Sequence, residues 1–321
     1  MVHSYHPKFS GGIGDFLRGS IYLSNICHKE NIDFYIDWKP HIMGKFLSNP
    51  RTVPDYDSEY VLDIEEITLK KIKQEKLTQQ PLNILCKNTI DDIIKEQKKL
   101  PEETLAISSF YLDIDYENAR QSIKDYDIPL HSKMLLQKSL RPHINIKNAY
   151  KKNIGNKDHY GTIHFRLGDR QTLPNINQCL DNIPQSIKNN SNLRCVEPDF
   201  EFIYFLIKRN LKQNNLDYIV LLSDSNELKK YIAKENNNKI IIPHYNSNHS
   251  CQSPGLLKYT KAYSHDFSYD QARWGALDLE ILINSQKNIS YSIYQWGSGF
   301  SVWPSKIFDI PIEIRELPSV E

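Results

Sequence analysis

The chain has 321 residues, enough for two domains of ordinary size or one large one. Hydrophobic residues make up 40% and charged residues 25%, which suits a globular protein with a buried core and excludes a disordered or fibrous one. With 40 basic against 39 acidic side chains the net charge is +1, so no basic excess points to nucleic acid as a partner.

The start, MVHSYHPKFS, has neither the basic nor the apolar region of a signal peptide. No apolar run approaches the ~18 residues of a spanning helix. The expectation is a cytoplasmic protein without a membrane span. Five cysteines, Cys27, Cys86, Cys179, Cys195 and Cys251, lack paired spacing, so they read as reduced thiols and not as disulfides or a zinc site.

In chain order the first feature is FSGGIGDFLRGS, residues 9–20. Gly11, Gly12 and Gly14 are spent here by a chain with only 12 glycines. Glycines at a loop-to-helix junction let backbone N–H groups approach a phosphate or sugar. No GK[ST] follows and the spacing is not GxGxxG, so neither nucleotide fingerprint fits. A methyltransferase loop would follow a buried strand, and VHSYHPKFS reads as a poor one; a plain tight turn is the simpler alternative. The next run, DFLRGSIYLSNICHKE, has helical spacing of its apolar residues, IDFYIDW reads as a strand, and IMGKFLSN is helix-like.

Residues 50–125 are rich in Lys and Glu, and TLAISSFYL is their best strand candidate. The polar, weakly periodic stretch 144–160 reads as a domain boundary, which divides the chain into 1–150 and 151–321. Beyond it come a strand in YGTIHFRLGD, a helix in FEFIYFLIKRNLKQN with Phe202, Tyr204, Phe205, Leu206 and Leu211 as its apolar set, and a strand in DYIVLLSDS. A helix in NELKKYIAKEN, strand KIIIP, helix GALDLEILINSQ, strand NISYSIY and short helix FSVWPSKIF complete the half. This alternation predicts an α/β fold of two Rossmann-like domains facing each other across a cleft.

Three strand or loop ends in the second half carry polar groups. Strand TIHF runs into Arg166, Gly168 and Asp169, and ligands of open α/β sheets bind beyond the carboxyl ends of strands. The Arg166 guanidinium offers a fork suited to phosphate oxygens, although a local Arg166–Asp169 salt bridge is the plainer account. LLSDS ends in Ser223, Asp224 and Ser225, fit for a base or ribose contact or for capping by Ser223 or Asp224. GSGFSVW places Ser298, Gly299, Phe300 and Ser301 at a helix start, where amides and hydroxyls can hold phosphate or form an ordinary capped turn.

In this order the four motifs resemble the fucosyltransferase superfamily, which includes the α1,2-, α1,6- and protein O-fucosyltransferases. The glycine loop looks like GGIGDFLRG, the H-x-R-x-G-D strand end like His164, Arg166, Gly168 and Asp169, and the serine/threonine–aspartate end like Ser223–Asp224. The C-terminal S-x-F-S block looks like Gly299–Phe300–Ser301, preceded by a helix with Asp278. The motifs span residues 11–303.

The resemblance implies a GT-B fold and inverting, metal-independent transfer of a sugar, fucose from GDP-fucose, onto a glycan hydroxyl. Nucleotide-sugar donor and glycan acceptor are then the partners, and no cofactor is implied. Arg166 would neutralise the departing diphosphate, Asp224 and Asp278 would serve the guanosine side, and Ser298, Phe300 and Ser301 the phosphates. Asp15 is the first candidate for the base, Asp169 the second and Asp37 the third; Asp15 also suits a helix N-terminus.

The chain departs from the α1,6-enzymes at Leu167, where they carry a second arginine, and at Leu173–Pro174, where they place a glutamate. GSGFS replaces the usual SSFS or STFS. Another GDP- or UDP-sugar, or a member that binds without turnover, are therefore the alternatives. A rival metal-dependent reading rests on Asp113 and Asp115 in LDID. The histidines offer it no i,i+4 ligand pair.

Overall fold

The computed structural model describes residues 1–6, 12–48, 52–75, 82–114, 118–167, 199–245, 269–292 and 297–317. It divides into two compact units, Met1–His143 and Ile144–Glu321. Both are mixed α/β with parallel sheets.

In the first unit β1 (Val2–Ser4), β2 (Tyr35–Asp37), β3 (Leu62–Asp63) and β4 (Ala106–Ser108) form a parallel sheet in the order β2-β1-β4-β3. Its helices are α1 (Ile13–Lys29), α2 (Ile64–Glu75), α3 (Leu82–Lys99), α4 (Ala119–Asp125) and α5 (Leu130–Ser139). The opening residues, too polar and aromatic to read as a buried strand, are one. VHS is wholly buried in the sheet interior, because its polar side chains find partners: His3 Nδ1 lies 2.8 Å from Ser20 Oγ, and Ser4 Oγ 3.0 Å from the Tyr56 hydroxyl. The segment IMGK forms a short 3₁₀ turn, shorter than the helix its composition suggests. Stacked and tilted rings of His3, Tyr5, Phe16 and Trp38, with centroids 4.2–5.5 Å apart, fill the space beneath α1.

The second unit opens with α6 (Ile144–Ile154), so the stretch that reads as a polar boundary is a helix, with Ile146, Ala149 and Ile154 on its buried stripe. Next come β5 (Tyr160–Arg166), α7 (Phe200–Gln213), β6 (Tyr218–Ser223), α8 (Asn226–Lys234) and β7 (Ile240–Ile241). The unit ends with α9 (Tyr269–Ile283), β8 (Asn288–Ser292), α10 (Gly299–Ile307) and β9 (Ile312–Glu316). Five parallel strands run in the order β7-β6-β5-β8-β9. Strand β9 and the whole of α2 to α5 have no counterpart in the elements read from sequence. Helix α7 buries Ile203, Leu206, Ile207 and Asn210, whereas Phe202 and Phe205 from its expected apolar set are exposed.

Strand β5 shows why this sheet carries a site. Ile163, Phe165 and Leu167 point into an apolar core shared with α7, β6 and β8. The alternate residues, Thr162, His164 and Arg166, are equally buried but polar, so each must be satisfied on the other face. Thr162 bonds Asn288, and Asn288 bonds Ser305 Oγ at 2.6 Å. His164 Nδ1 meets Ser301 Oγ at 3.0 Å, and Ser301 bonds Ser290 Oγ at 2.8 Å. Serines one helical turn apart thus dock α10 onto the sheet. Gly297 precedes the helix with φ +80, a conformation that L side chains rarely adopt.

Candidate functional site

Ligands of open α/β sheets sit beyond the carboxyl ends of strands where the strand order reverses. In the second unit the order runs outward from β5 to β7 on one side and from β8 to β9 on the other. The reversal therefore falls between β5 and β8, whose last residues, Arg166 and Ser292, are register partners. Arg166 stands at that point, buried, with Nη1 paired to Asp224 at the end of β6. Asp224 also accepts the Leu167 amide at 3.0 Å. One carboxylate thus clamps the backbone and the side chain at the end of β5, an arrangement that fixes a guanidinium in place. Asp169, the other partner expected for Arg166, lies outside the described residues, as do Gly11 and Gly168.

Around this pair the polar side chains sort into two groups. Ser301 is fully buried, and its hydroxyl is engaged by Ser290, His164 and the Ser298 carbonyl. His164 is kept neutral: burial pushes its pKa down to about 4, Asp224 works against that, and Arg166 and Lys229 add to it. Phe300 packs near it, with ring centroids 5.7 Å apart. Ser298 is the residue before α10, Gly299 its first residue, and the Ser298 amide reaches Ser290 Oγ at 3.3 Å. The helix after β6 is capped by Ser225, whose Oγ accepts from Leu228 N at 3.1 Å, and not by Ser223 or Asp224. Ser223 Oγ accepts the Ser225 amide at 3.1 Å.

The second group, apart from Asp278, is one that sequence reading missed. Lys229 is buried on α8, its Nζ 5.1 Å from the centre of the Tyr245 ring. The Tyr245 hydroxyl donates to Asp278, and its ring stacks on Trp274 at 4.7 Å. Arg273 lies 5.0 Å from the Trp274 ring centre. Burial lowers the Lys229 pKa, and Asp278 and Asp224 oppose that. Burial raises the Asp278 pKa, against Lys229 and the Tyr245 bond. Arg166 and Lys229 thus balance Asp224 and Asp278. The signal was available: Lys229 shares the stripe of Ser225, Leu228 and Ile232, and a lysine on the inward stripe needs an acidic partner.

In the first unit the strand order is β2-β1-β4-β3, and it does not run outward on both sides as in the second unit. The glycine loop follows β1, and Gly12 is the N-cap of α1, with Gly14 buried in its first turn. Asp15 Oδ2 accepts the Gly12 amide at 3.2 Å, and Oδ1 accepts from Arg18 Nη2 at 2.6 Å. Asp15 therefore holds a helix start, and its side chain is 40% exposed. Asp37, at the end of β2, accepts the Tyr56 hydroxyl at 2.7 Å and the Lys39 amide at 3.0 Å. Asp113 of the LDID pair lies 3.4 Å from Lys87, and Asp115 is outside the described residues. Among the described residues no three His, Cys, Asp or Glu side chains are grouped to hold a metal, and no helix is long and apolar enough to cross a membrane.

No family model and no curated protein matches the chain. Among solved structures, FUT1 of Arabidopsis thaliana, a point mutant in complex with GDP, aligns with a TM-score of 0.51 at 8% identity, over 99% of this chain and 70% of that one. The chain has the fucosyltransferase-like GT-B fold. NodZ α-1,6-fucosyltransferase soaked with GDP-fucose aligns with a TM-score of 0.42 at 10% identity, over 97% of this chain and 92% of that one. Fucosyltransferase NodZ from Bradyrhizobium aligns at 0.39 and 10%, over 94% and 90%. Within this fucosyltransferase-like fold the structure brings His164, Arg166, Ser223, Asp224, Ser298, Gly299, Phe300 and Ser301 to the same end of one sheet. Asp278 joins Lys229 and Tyr245 on the same unit. Gly12, Gly14 and Asp15 belong to the other unit.

Proposed function

We propose that the chain is an inverting, metal-independent glycosyltransferase that moves fucose from GDP-fucose onto a glycan hydroxyl. The second unit takes the donor, and the first takes the acceptor. The observation that carries this reading is the buried Arg166 at the switch point, held by Asp224. As the glycosidic C–O bond breaks, the sugar gains oxocarbenium character and the diphosphate gains negative charge. A fixed guanidinium in a poorly solvated place stabilises that charge without reorganising during the reaction. The first-turn amides at Gly299 and Phe300 suit the phosphates better than Ser301, whose hydroxyl is spent on docking α10. Asp278 and Asp224 serve the guanosine, with Lys229 as their buried counter-charge.

The acceptor hydroxyl must lose a proton, and Asp15, Asp169 or Asp37 takes it. Asp15 would act from the helix start, and must release the Arg18 or Gly12 contact to do so. That engagement favours one second reading, a protein that binds the nucleotide sugar without turnover.

Calorimetry with GDP, UDP and S-adenosylmethionine in EDTA tests the proposal. GDP binding that weakens by about 10²-fold in Arg166→Ala and recovers in part in Arg166→Lys supports it. Binding that requires Mn²⁺, or preference for UDP or S-adenosylmethionine, overturns it. Turnover of GDP-fucose with an acceptor panel separates transferase from binder.

A further inference from the structure

The run Ser108–Leu112 is buried at every position except Phe110, which is 38% exposed directly beyond β4. This one outward aromatic stands on a corner that the first unit immobilises from three sides. From α2, Glu65 Oε1 accepts the Phe110 amide at 3.1 Å and the Ser109 hydroxyl at 3.0 Å. From β1, His3 Nε2 lies 3.1 Å from the Ser109 amide nitrogen, and Nδ1 lies 2.8 Å from Ser20 Oγ. From α1, Gly19 packs so tightly that a Cβ there would stand 1.8 Å from the Ser109 carbonyl oxygen. Ser109 Oγ in turn accepts the Tyr111 amide at 3.1 Å.

Burying a carboxylate and an imidazole is costly, and here both are used to hold two residues of backbone. Surface loops are not ordinarily fixed this way. Rigid support of that kind is what a binding side chain needs, since ordering it beforehand removes the entropy cost at the moment of association.

Phe110 also lies just beyond the carboxyl end of β4, the end at which ligands of open parallel α/β sheets bind. Arg18 crosses to it from α1, with Cζ 5.9 Å from the ring centre. Its Nη2 is on Asp15, and its Nε is buried with no hydrogen-bond partner in the structure. A half-exposed aromatic ring with a guanidinium over it, itself held by a carboxylate, matches a pyranose ring. The axial C–H groups of the sugar meet the ring, and its hydroxyls meet donors and acceptors at the rim. A peptide or lipid would want a broader apolar patch than one ring.

We propose that Phe110, with Arg18 over the ring, is the platform on which a hexopyranose unit of the acceptor stacks. This rests on the glycosyltransferase reading and names the acceptor subsite within the first unit. The full chain is probed by saturation-transfer NMR with methyl glycosides of glucose, galactose, mannose and N-acetylglucosamine, while GDP is titrated separately by calorimetry. At least one glycoside receives saturation from the wild type. The signal falls by about fivefold or more in Phe110→Ala and persists in Phe110→Tyr, because the face and not the chemistry of Phe is required. Absence of any glycoside signal, an equal signal in Phe110→Ala, or GDP binding lost in Phe110→Ala overturns the platform. If GDP fails to bind the wild type but the glycoside signal depends on Phe110, the sugar site stands and the transferase reading falls.

Discussion

The carboxylate of Asp224 is paired with the guanidinium of Arg166, and both side chains are more than nine-tenths buried. The two residues end neighbouring strands, 58 positions apart in the chain, so their meeting registers β5 against β6 as well as setting a cation at the sheet edge. Removing either charge alone leaves the other buried without this counter-charge. Asp224→Leu or Arg166→Leu is expected to cost about 3–5 kcal/mol in urea unfolding. The double replacement is expected to cost clearly less than the sum of the two. Additive costs would mean that the two charges do not depend on each other.

Stability should be greatest just below neutral pH. His3, His41 and His164 are held neutral by burial, at about 3, about 4 and about 4, against 6.5 for an ordinary histidine. Below pH 6.5 the unfolded chain binds three protons that the folded chain refuses, so stability falls by about 1.4 kcal/mol per pH unit for each histidine. Glu65 acts in the other direction, because burial pushes its carboxyl up to about 7 from 4.5 and the folded chain takes its proton first. Its contribution therefore rises as pH drops from 7 to 4.5. Between pH 4.5 and 6.5 three histidines outweigh one glutamate, and these groups leave a net loss of about 2.8 kcal/mol per unit. Glu65→Gln keeps an Oε1 acceptor for Ser109 and Phe110 but cannot titrate. Its stability should fall about one and a half times as steeply as the wild type below pH 6.5, measured by urea unfolding at half-unit intervals.

Gly19→Ala should destabilise the first unit although alanine is the better helix former. Propensity favours the change by about 1 kcal/mol. Against that, the added Cβ meets the Ser109 carbonyl at 1.8 Å, a backbone atom held by other bonds. Overpacking of this kind costs about 1–3 kcal/mol or more, so the clash outweighs the propensity. A melting temperature equal to or above that of the wild type would mean that α1 can move away from β4 freely.

Asp15→Asn separates the two roles open to that residue. The amide oxygen can still accept from Gly12, and the exposed Arg18 pair is worth at most about 1 kcal/mol, so stability should change little. As the base, Asp15 would be required for proton removal, and kcat should drop by about 10²-fold or more with GDP binding unchanged. Full turnover in Asp15→Asn would leave the proton to Asp169 or Asp37.

The second unit was legible because its strands and helices declare themselves locally. Strand β5 reads as YGTIHFR and β6 as YIVLLS, the near-continuous buried runs that parallel strands flanked by helices require. Their polar terminal residues, Arg166 and Ser223 with Asp224 beyond, mark the sheet edge in the sequence itself. The first unit was harder to read for a physical reason. Strand β1 is three residues long and contains His3 and Ser4, which can be buried only because Ser20, Ser109 and Tyr56 answer them.

By itself, then, the sequence determined the α/β alternation, the glycine loop before α1 and the placement of Arg166 and Asp224 at strand ends, since each depends on neighbours a few residues away. Tertiary structure alone decided what those groups face. It turned Ser301 inward onto Ser290 and His164, gave the capping of α8 to Ser225, and bound Lys229 to Tyr245 and Asp278. It also gathered His3, Gly19, Glu65 and Ser109 around the backbone that presents Phe110. Such partners lie tens of residues apart, and only burial, which makes every polar atom seek a partner, brings them together.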